Sequence, residues 1–100
     1  MTINININTN TNTVRTAVIT GATSDRGIGM TLAERYAREG WAVVILDLDG
    51  ERSAKVAADI GNQFAVAAFG HAVDVTSEAS VADAEAAVAA EVAAGNLPPV

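Results

Sequence analysis

The chain has 100 residues, half of them apolar, with 21 alanines and 12 valines but four aromatic side chains, a composition suited to close helix-on-sheet packing rather than base stacking. It has no cysteine and one histidine, so a disulfide scaffold, a thiolate metal site, a cysteine nucleophile and a His-rich metal site are excluded. The formal net charge is −6, and residues 56–100 carry six acids and no base, which argues against a phosphate-backbone binder of nucleic acid.

Residues 1–13, MTINININTNTNT, form a low-complexity, uncharged stretch. Its Ile-Asn alternation imitates a half-buried strand, but Asn is a poor strand former, so a disordered tail is expected, with an added edge strand as the alternative. The globular domain is expected over residues 14–100. Residues 16–20, TAVIT, are a short apolar run closed by Gly21 and read as a buried parallel strand. Residues 21–27, GATSDRG, are turn chemistry. Residues 28–39 have helical spacing, with Ile28, Leu32 and Tyr36 one turn apart, Gly29, Ala33 and Ala37 beside them, and Gly40 as the stop.

Residues 41–47, WAVVILD, read as a second strand covered on both faces. After Asp49-Gly50 a second helix is expected over about residues 51–60, with Gly61-Asn62 as a possible end and Phe64 and Ala68 continuing its face. Residues 71–75, HAVDV, read as the third strand, which puts His71 at its start and away from the strands' C-terminal edge. Thr76 or Ser77 caps a third helix that turns Val81, Ala84, Val88 and Val92 inward and stops at Gly95 and Pro98-Pro99. Strands alternating with helices imply an α/β fold. Its form is the first β-α-β-α-β-α half of a Rossmann-type, doubly wound parallel sheet. The apolar runs fall far short of the ~20 residues of a membrane span, and the N-terminus lacks a basic-then-apolar leader, so a cytoplasmic protein without a membrane partner is expected.

Three places could carry chemistry, all at strand ends. The turn after the first strand, from Thr20 to Gly29, has Gly21 for the sharp exit, Gly27 for close approach of backbone to a pyrophosphate, and Gly29 for close helix packing. Ser24, Arg26 and Ile28 lie in the same stretch. Asp47, at the end of the second strand, follows at the spacing of a ribose-binding acid, whose carboxylate accepts from both hydroxyls. Asp74 and Val75 follow the third strand, where a carboxylate can bond an adenine amino group.

Together these motifs resemble the N-terminal part of a short-chain dehydrogenase/reductase. The family's T-G-x-x-x-G-x-G stands here as Thr20-Gly21, five residues, then Gly27-Ile28-Gly29, two residues longer than the commoner form. Its acid after the second strand matches Asp47, and its aspartate before the third helix matches Asp74 in Asp74-Val75-Thr76. The resemblance implies a dinucleotide cofactor held by Gly21, Ser24, Arg26, Gly27, Ile28, Gly29, Asp47, Asp74 and Val75, NAD in preference to NADP. It also implies hydride exchange with an alcohol or carbonyl substrate in a homo-oligomeric parent enzyme. The family's catalytic Ser and its Tyr-x-x-x-Lys pair have no counterpart among these residues. Tyr36 is the sole tyrosine, Gly40 stands where a lysine would be needed, and the sole lysine is Lys55. No catalytic or metal-binding residue is therefore expected in the chain. It reads as the cofactor-binding N-terminal fragment of an oxidoreductase, with a non-catalytic nucleotide-binding module or a truncated remnant as the alternatives.

Overall fold

A computed structural model describes residues 15–22 and 27–100. The tail expected over residues 1–13 lies outside them. The elements run β1 (Thr16–Thr20), α1 (Ile28–Arg38), β2 (Ala42–Asp47), α2 (Gly50–Phe64), β3 (Ala68–Ala72) and α3 (Glu78–Ala93). The strands form one sheet in the order β1-β2-β3, with both pairs parallel. Thr16 stands opposite Ala42 in the first pair, and Val43 opposite Ala68 in the second.

β2 is central, and Ala42, Val43, Val44, Ile45 and Leu46 are all buried. Alternation sends Val43 and Ile45 to one face, where they meet Ala33 and Ala37 of α1 and Val56, Ala57 and Ile60 of α2. Ala42, Val44 and Leu46 meet Ala84 and Val88 of α3 on the other face. Each fully buried Val or Ile contributes about 1.5–3 kcal/mol. That α1 and α2 share a face is what two successive crossovers of one hand require. The arrangement is the doubly wound, Rossmann-like half expected from the sequence.

The helix ends follow local chemistry. Asp49 caps α2 by accepting from the Arg52 N–H at 3.0 Å, and Ser77 caps α3 by accepting from the Ser80 N–H at 3.2 Å. α2 runs through Gly61 to Phe64 and ends at Ala65, which has a left-handed φ of 57°. Gly61 is therefore inside the helix, which passes the possible end at Gly61-Asn62 and continues to Phe64.

The third strand also differs from expectation. It occupies Ala68–Ala72, three residues earlier than residues 71–75; the Val73 N–H still donates to the Asp47 carbonyl of β2 at 2.8 Å, and Asp74 and Val75 lie beyond the strand. The stretch from Ala65 to Val75 is almost uniformly small and apolar, so no period marks its strand limits. Pairing with β2 and close packing on α2 fix them instead. A Cβ on Gly70 would overlap the Ser53 carbonyl of α2, so only glycine lets that helix sit against the strand. His71 consequently stands opposite Leu46 near the C-terminal end of β3, not at the start of the strand. Its Nε2 is 3.6 Å from Asp83 Oδ2 of α3, and its ring meets Phe69 edge-on.

α1 packs through its small residues, Ala33 and Ala37, while Ile28, Leu32 and Tyr36 stay exposed beside the outer edge of β1. Tyr36 instead meets Trp41 at a tilt of 57°, with ring centroids 5.1 Å apart. In α3, Ala84 and Val88 are buried and Val92 is partly buried, but Val81 is exposed. Across β1 from β2, the Thr16 N–H donates to the Pro99 carbonyl at 2.9 Å and the Thr16 hydroxyl donates to the Pro98 carbonyl at 2.6 Å.

Candidate functional site

The C-terminal ends of β1 and β2 and the loop after β3 open into one cavity of about 310 Å³, lined by Thr20, Gly21, Leu46, Asp47, Leu48, Val73, Asp74, Val75 and Thr76. Parallel pairing is the cause: it brings successive strand ends to one edge of the sheet, the edge where α/β folds bind ligands. Leu46 and Val73 are buried and form an apolar base, while Leu48 is 73% exposed and stands as a free apolar wall.

Gly21 leaves β1 with a φ of 75°, and its N–H donates to the Leu46 carbonyl at 3.2 Å, so the turn starts directly over the end of β2. α1 then returns close beneath the turn. A Cβ on Gly29 would sit 2.9 Å from the Gly21 carbonyl oxygen and 3.1 Å from the Ala22 Cα, both backbone atoms that cannot swing away. Gly27 is the extended N-cap of α1 and supplies no side-chain cap, and the first turn of the helix holds no acid. The helix thus presents backbone N–H groups that its own side chains do not neutralise, as an anion site requires. Ile28, 80% exposed, and Gly29 line a neighbouring groove along β1 rather than the cavity itself. Ser24 and Arg26 lie outside the described residues.

The two acids are held differently. Asp47 Oδ1 accepts from the Leu48 N–H at 2.8 Å. Asp74 Oδ1 accepts twice from Thr76, from its hydroxyl at 2.7 Å and its N–H at 3.0 Å. Those bonds, the hydroxyl's first and the backbone's second, hold the Asp74 carboxyl below its ordinary range, so it is ionised at neutral pH. Among the described residues no group of His, Asp or Glu side chains could hold a metal ion, and no helix is long and apolar enough to cross a membrane.

The sequence pattern that defines the short chain dehydrogenases matches residues 15–97, the turn and both acids included. The chain belongs to the short-chain dehydrogenase family. It is similar to a sorbitol dehydrogenase of Cereibacter sphaeroides, 48% identical over 67 residues, which are 67% of this chain and 24% of that protein. Among solved structures, the L-sorbose reductase of Gluconobacter frateurii, in complex with NADPH and L-sorbose, superposes with a TM-score of 0.67 at 32% identity, covering 81% of this chain and 29% of the reductase. An NAD⁺-bound xylitol dehydrogenase superposes with a TM-score of 0.68 at 32% identity, covering 77% and 28%. The chain spans about a quarter of the length of the curated relatives it matches.

Of the residues singled out as a short-chain dehydrogenase cofactor site, the fold brings Gly21, Asp47, Asp74 and Val75 to the cavity, and sets Ile28 and Gly29 in the adjoining groove. Sequence reasoning passed over Leu46, Leu48 and Val73 as site residues. Leu48 carried a signal, an apolar side chain immediately after the strand-ending acid. Leu46 and Val73 read as ordinary strand residues, and strand register makes them the base.

Proposed function

We propose that the chain binds the adenosine and pyrophosphate of a nicotinamide dinucleotide. The protein it belongs to is then a cytoplasmic, homo-oligomeric oxidoreductase acting on a small alcohol or carbonyl substrate. The observation that carries this reading is the convergence of Gly21, Asp47, Asp74 and Val75 on one cavity beside the open start of α1. The residues fit the group. The close Gly21–Gly29 approach leaves backbone where a phosphate needs N–H donors, and the ionised Asp74 can only accept, which suits an exocyclic amino group. Asp47 would accept from the ribose hydroxyls. Gly27, Ile28 and Gly29, with Ser24 and Arg26, would meet the pyrophosphate. The bound nicotinamide would carry the hydride, and these residues would hold its far end at a fixed distance from the substrate.

NAD is the preferred cofactor in this proposal, although relatives with NAD⁺ and with NADPH both exist. Asp47 against a 2′-phosphate at ~4 Å costs roughly 4 kcal/mol per unit charge at an effective dielectric of 20. A charged hydrogen bond from Arg26 would return about 1.5–3 kcal/mol. The acid therefore prevails, and NAD is favoured by about tenfold or more.

Calorimetric titration of the chain with ADP-ribose and with its 2′-phosphate tests both statements. ADP-ribose should bind more tightly, and Asp47→Ser should remove most of the difference. Failure of ADP-ribose to bind would overturn the dinucleotide reading. Tighter binding of the phosphorylated probe would overturn the preference alone.

A further inference from the structure

Asp74 is tied down on two sides, by partners on different elements. On the α3 side, Ser80 Oγ accepts from the Asp74 N–H at 2.8 Å. The Ser80 N–H in turn donates to the N-cap Ser77 hydroxyl at 3.2 Å, and the Ser77 N–H donates to the Asp74 carbonyl at 3.0 Å. Both backbone polar groups of Asp74 are therefore held by the first turn of α3. On the loop side, both Thr76 donors fall on Oδ1 alone. Among the described residues Oδ2 accepts no hydrogen bond, and Asp74 lines the cavity beside Asp47 and Val73.

A side chain held at its backbone and at one carboxylate oxygen has its second oxygen fixed in direction. An ionised oxygen can only accept. A 6-amino purine offers it a donor, whereas a 6-oxo purine offers it another acceptor, and two facing acceptors repel. A misaligned carboxylate makes a poor bond to the first and a weak clash with the second, because hydrogen-bond energy falls steeply with angle.

We infer that Ser80 is a positioning residue for purine selectivity: by holding the Asp74 N–H it keeps Oδ2 aimed into the cavity, and so favours adenine over hypoxanthine. The inference rests on the reading of this cavity as the adenosine site. Ser80 itself does not line the cavity, so its effect passes entirely through Asp74.

The test titrates ADP-ribose and its hypoxanthine counterpart, inosine diphosphate ribose, into the chain and into Ser80→Ala and Ser80→Thr. The unaltered chain should prefer the adenine probe by about tenfold or more. Ser80→Ala should bind it about fivefold more weakly, the equivalent of one lost hydrogen bond, and should discriminate the two probes by no more than about threefold. Ser80→Thr, which keeps the hydroxyl, should restore both numbers. A merely structural role would lower the affinity for both probes together and leave their ratio intact, and that result would overturn the inference. So would a Ser80→Ala variant that matches the unaltered chain. If the unaltered chain binds neither probe, the adenosine reading falls and the inference with it. Circular dichroism melts accompany each titration. Should Ser80→Ala not fold, Ser80→Cys, of similar size and with a weak acceptor, is read in the same way.

Discussion

Thr76 places both of its donors on one oxygen of Asp74, at 2.7 and 3.0 Å, and the carboxyl there is consequently more acidic than an unpartnered aspartate. The sign of the pH dependence follows from that direction. A group whose pKa is lower in the folded than in the unfolded chain adds stability above its unfolded value, about 3.9, and that stability is lost as pH falls through the lower folded value. Acidification from pH 5 toward pH 2 therefore erodes this contribution, whereas the neutral range leaves it untouched. Thr76→Val removes the larger of the two causes and keeps the backbone one. The Asp74 carboxyl, followed by NMR titration of its side-chain carbon, should then titrate at a higher pH than in the unaltered chain. An unchanged midpoint would mean that the hydroxyl bond does not persist in solution. Both acids of the site were legible as residues, because an acid that ends an apolar run is visible in sequence. Their environments were not, since the bond between Thr76 and Asp74 depends on the loop's path after β3.

Among the elements, β1, β2 and α1 lie within a residue of their sequence limits, since each is bounded by local turn or cap chemistry such as Gly21 and Gly40. β3 departs from expectation for a reason that lies outside its own residues. The strand is placed where Gly70 admits the Ser53 carbonyl of α2, a contact between residues 17 positions apart in sequence that no local pattern encodes. Gly70→Ala should therefore be among the costly alanine substitutions in the chain. The added methyl meets backbone rather than a movable side chain, so the helix must lift from the sheet. Overpacking of this kind costs about 1–3 kcal/mol. At a slope of about 2 kcal/mol per molar, the urea midpoint should fall by roughly 1 M. A midpoint within error of the unaltered chain would show that α2 does not pack on β3 as closely as described.

At the scale of the molecule, no described strand pairs with the outer edge of β1. The Ala42 N–H donates to the Arg15 carbonyl and the Gly21 N–H to the Leu46 carbonyl, so alternate residues of β1 face β2, and Thr16 turns the other way, to Pro99. By the same alternation the backbone groups of Val18 and Thr20 point away from the sheet. Grooves flank that edge on both sides, and the one on the α3 side is largely apolar. One, of about 600 Å³, is lined by Val18, Val88, Val92 and Val100. The other, of about 560 Å³, is lined by Ile28, Leu32, Tyr36 and Trp41. A strand edge without a partner strand, beside apolar surface, templates association. Purified as these 100 residues, the chain should show concentration-dependent assembly in sedimentation velocity. Val18→Lys, which sets a charge on the edge, should shift it toward monomer. A sharp monomer at all concentrations before the substitution would refute this role of the edge.

The sequence by itself determined the order of elements, the parallel sheet, the glycine exit from β1 and the two acids that follow it. These rest on local signals: apolar runs closed by Gly or Asp, the Asp49-Gly50 turn, a cap at Thr76 or Ser77, and the spacing from Gly21 to Asp47. Tertiary structure decided the rest. It slid β3 back three residues, put Ile28, Leu32 and Tyr36 beside the outer edge of β1 where their spacing read as an ordinary apolar face, and made Leu46, Leu48 and Val73 line the cavity. It also tied Asp74 to Ser80 across six positions. The physical reason is common to all of these. Strand register and the close approach of α2 to Gly70 are set by which surfaces fit when separate segments meet, and a run of small apolar residues holds no period from which that fit can be read.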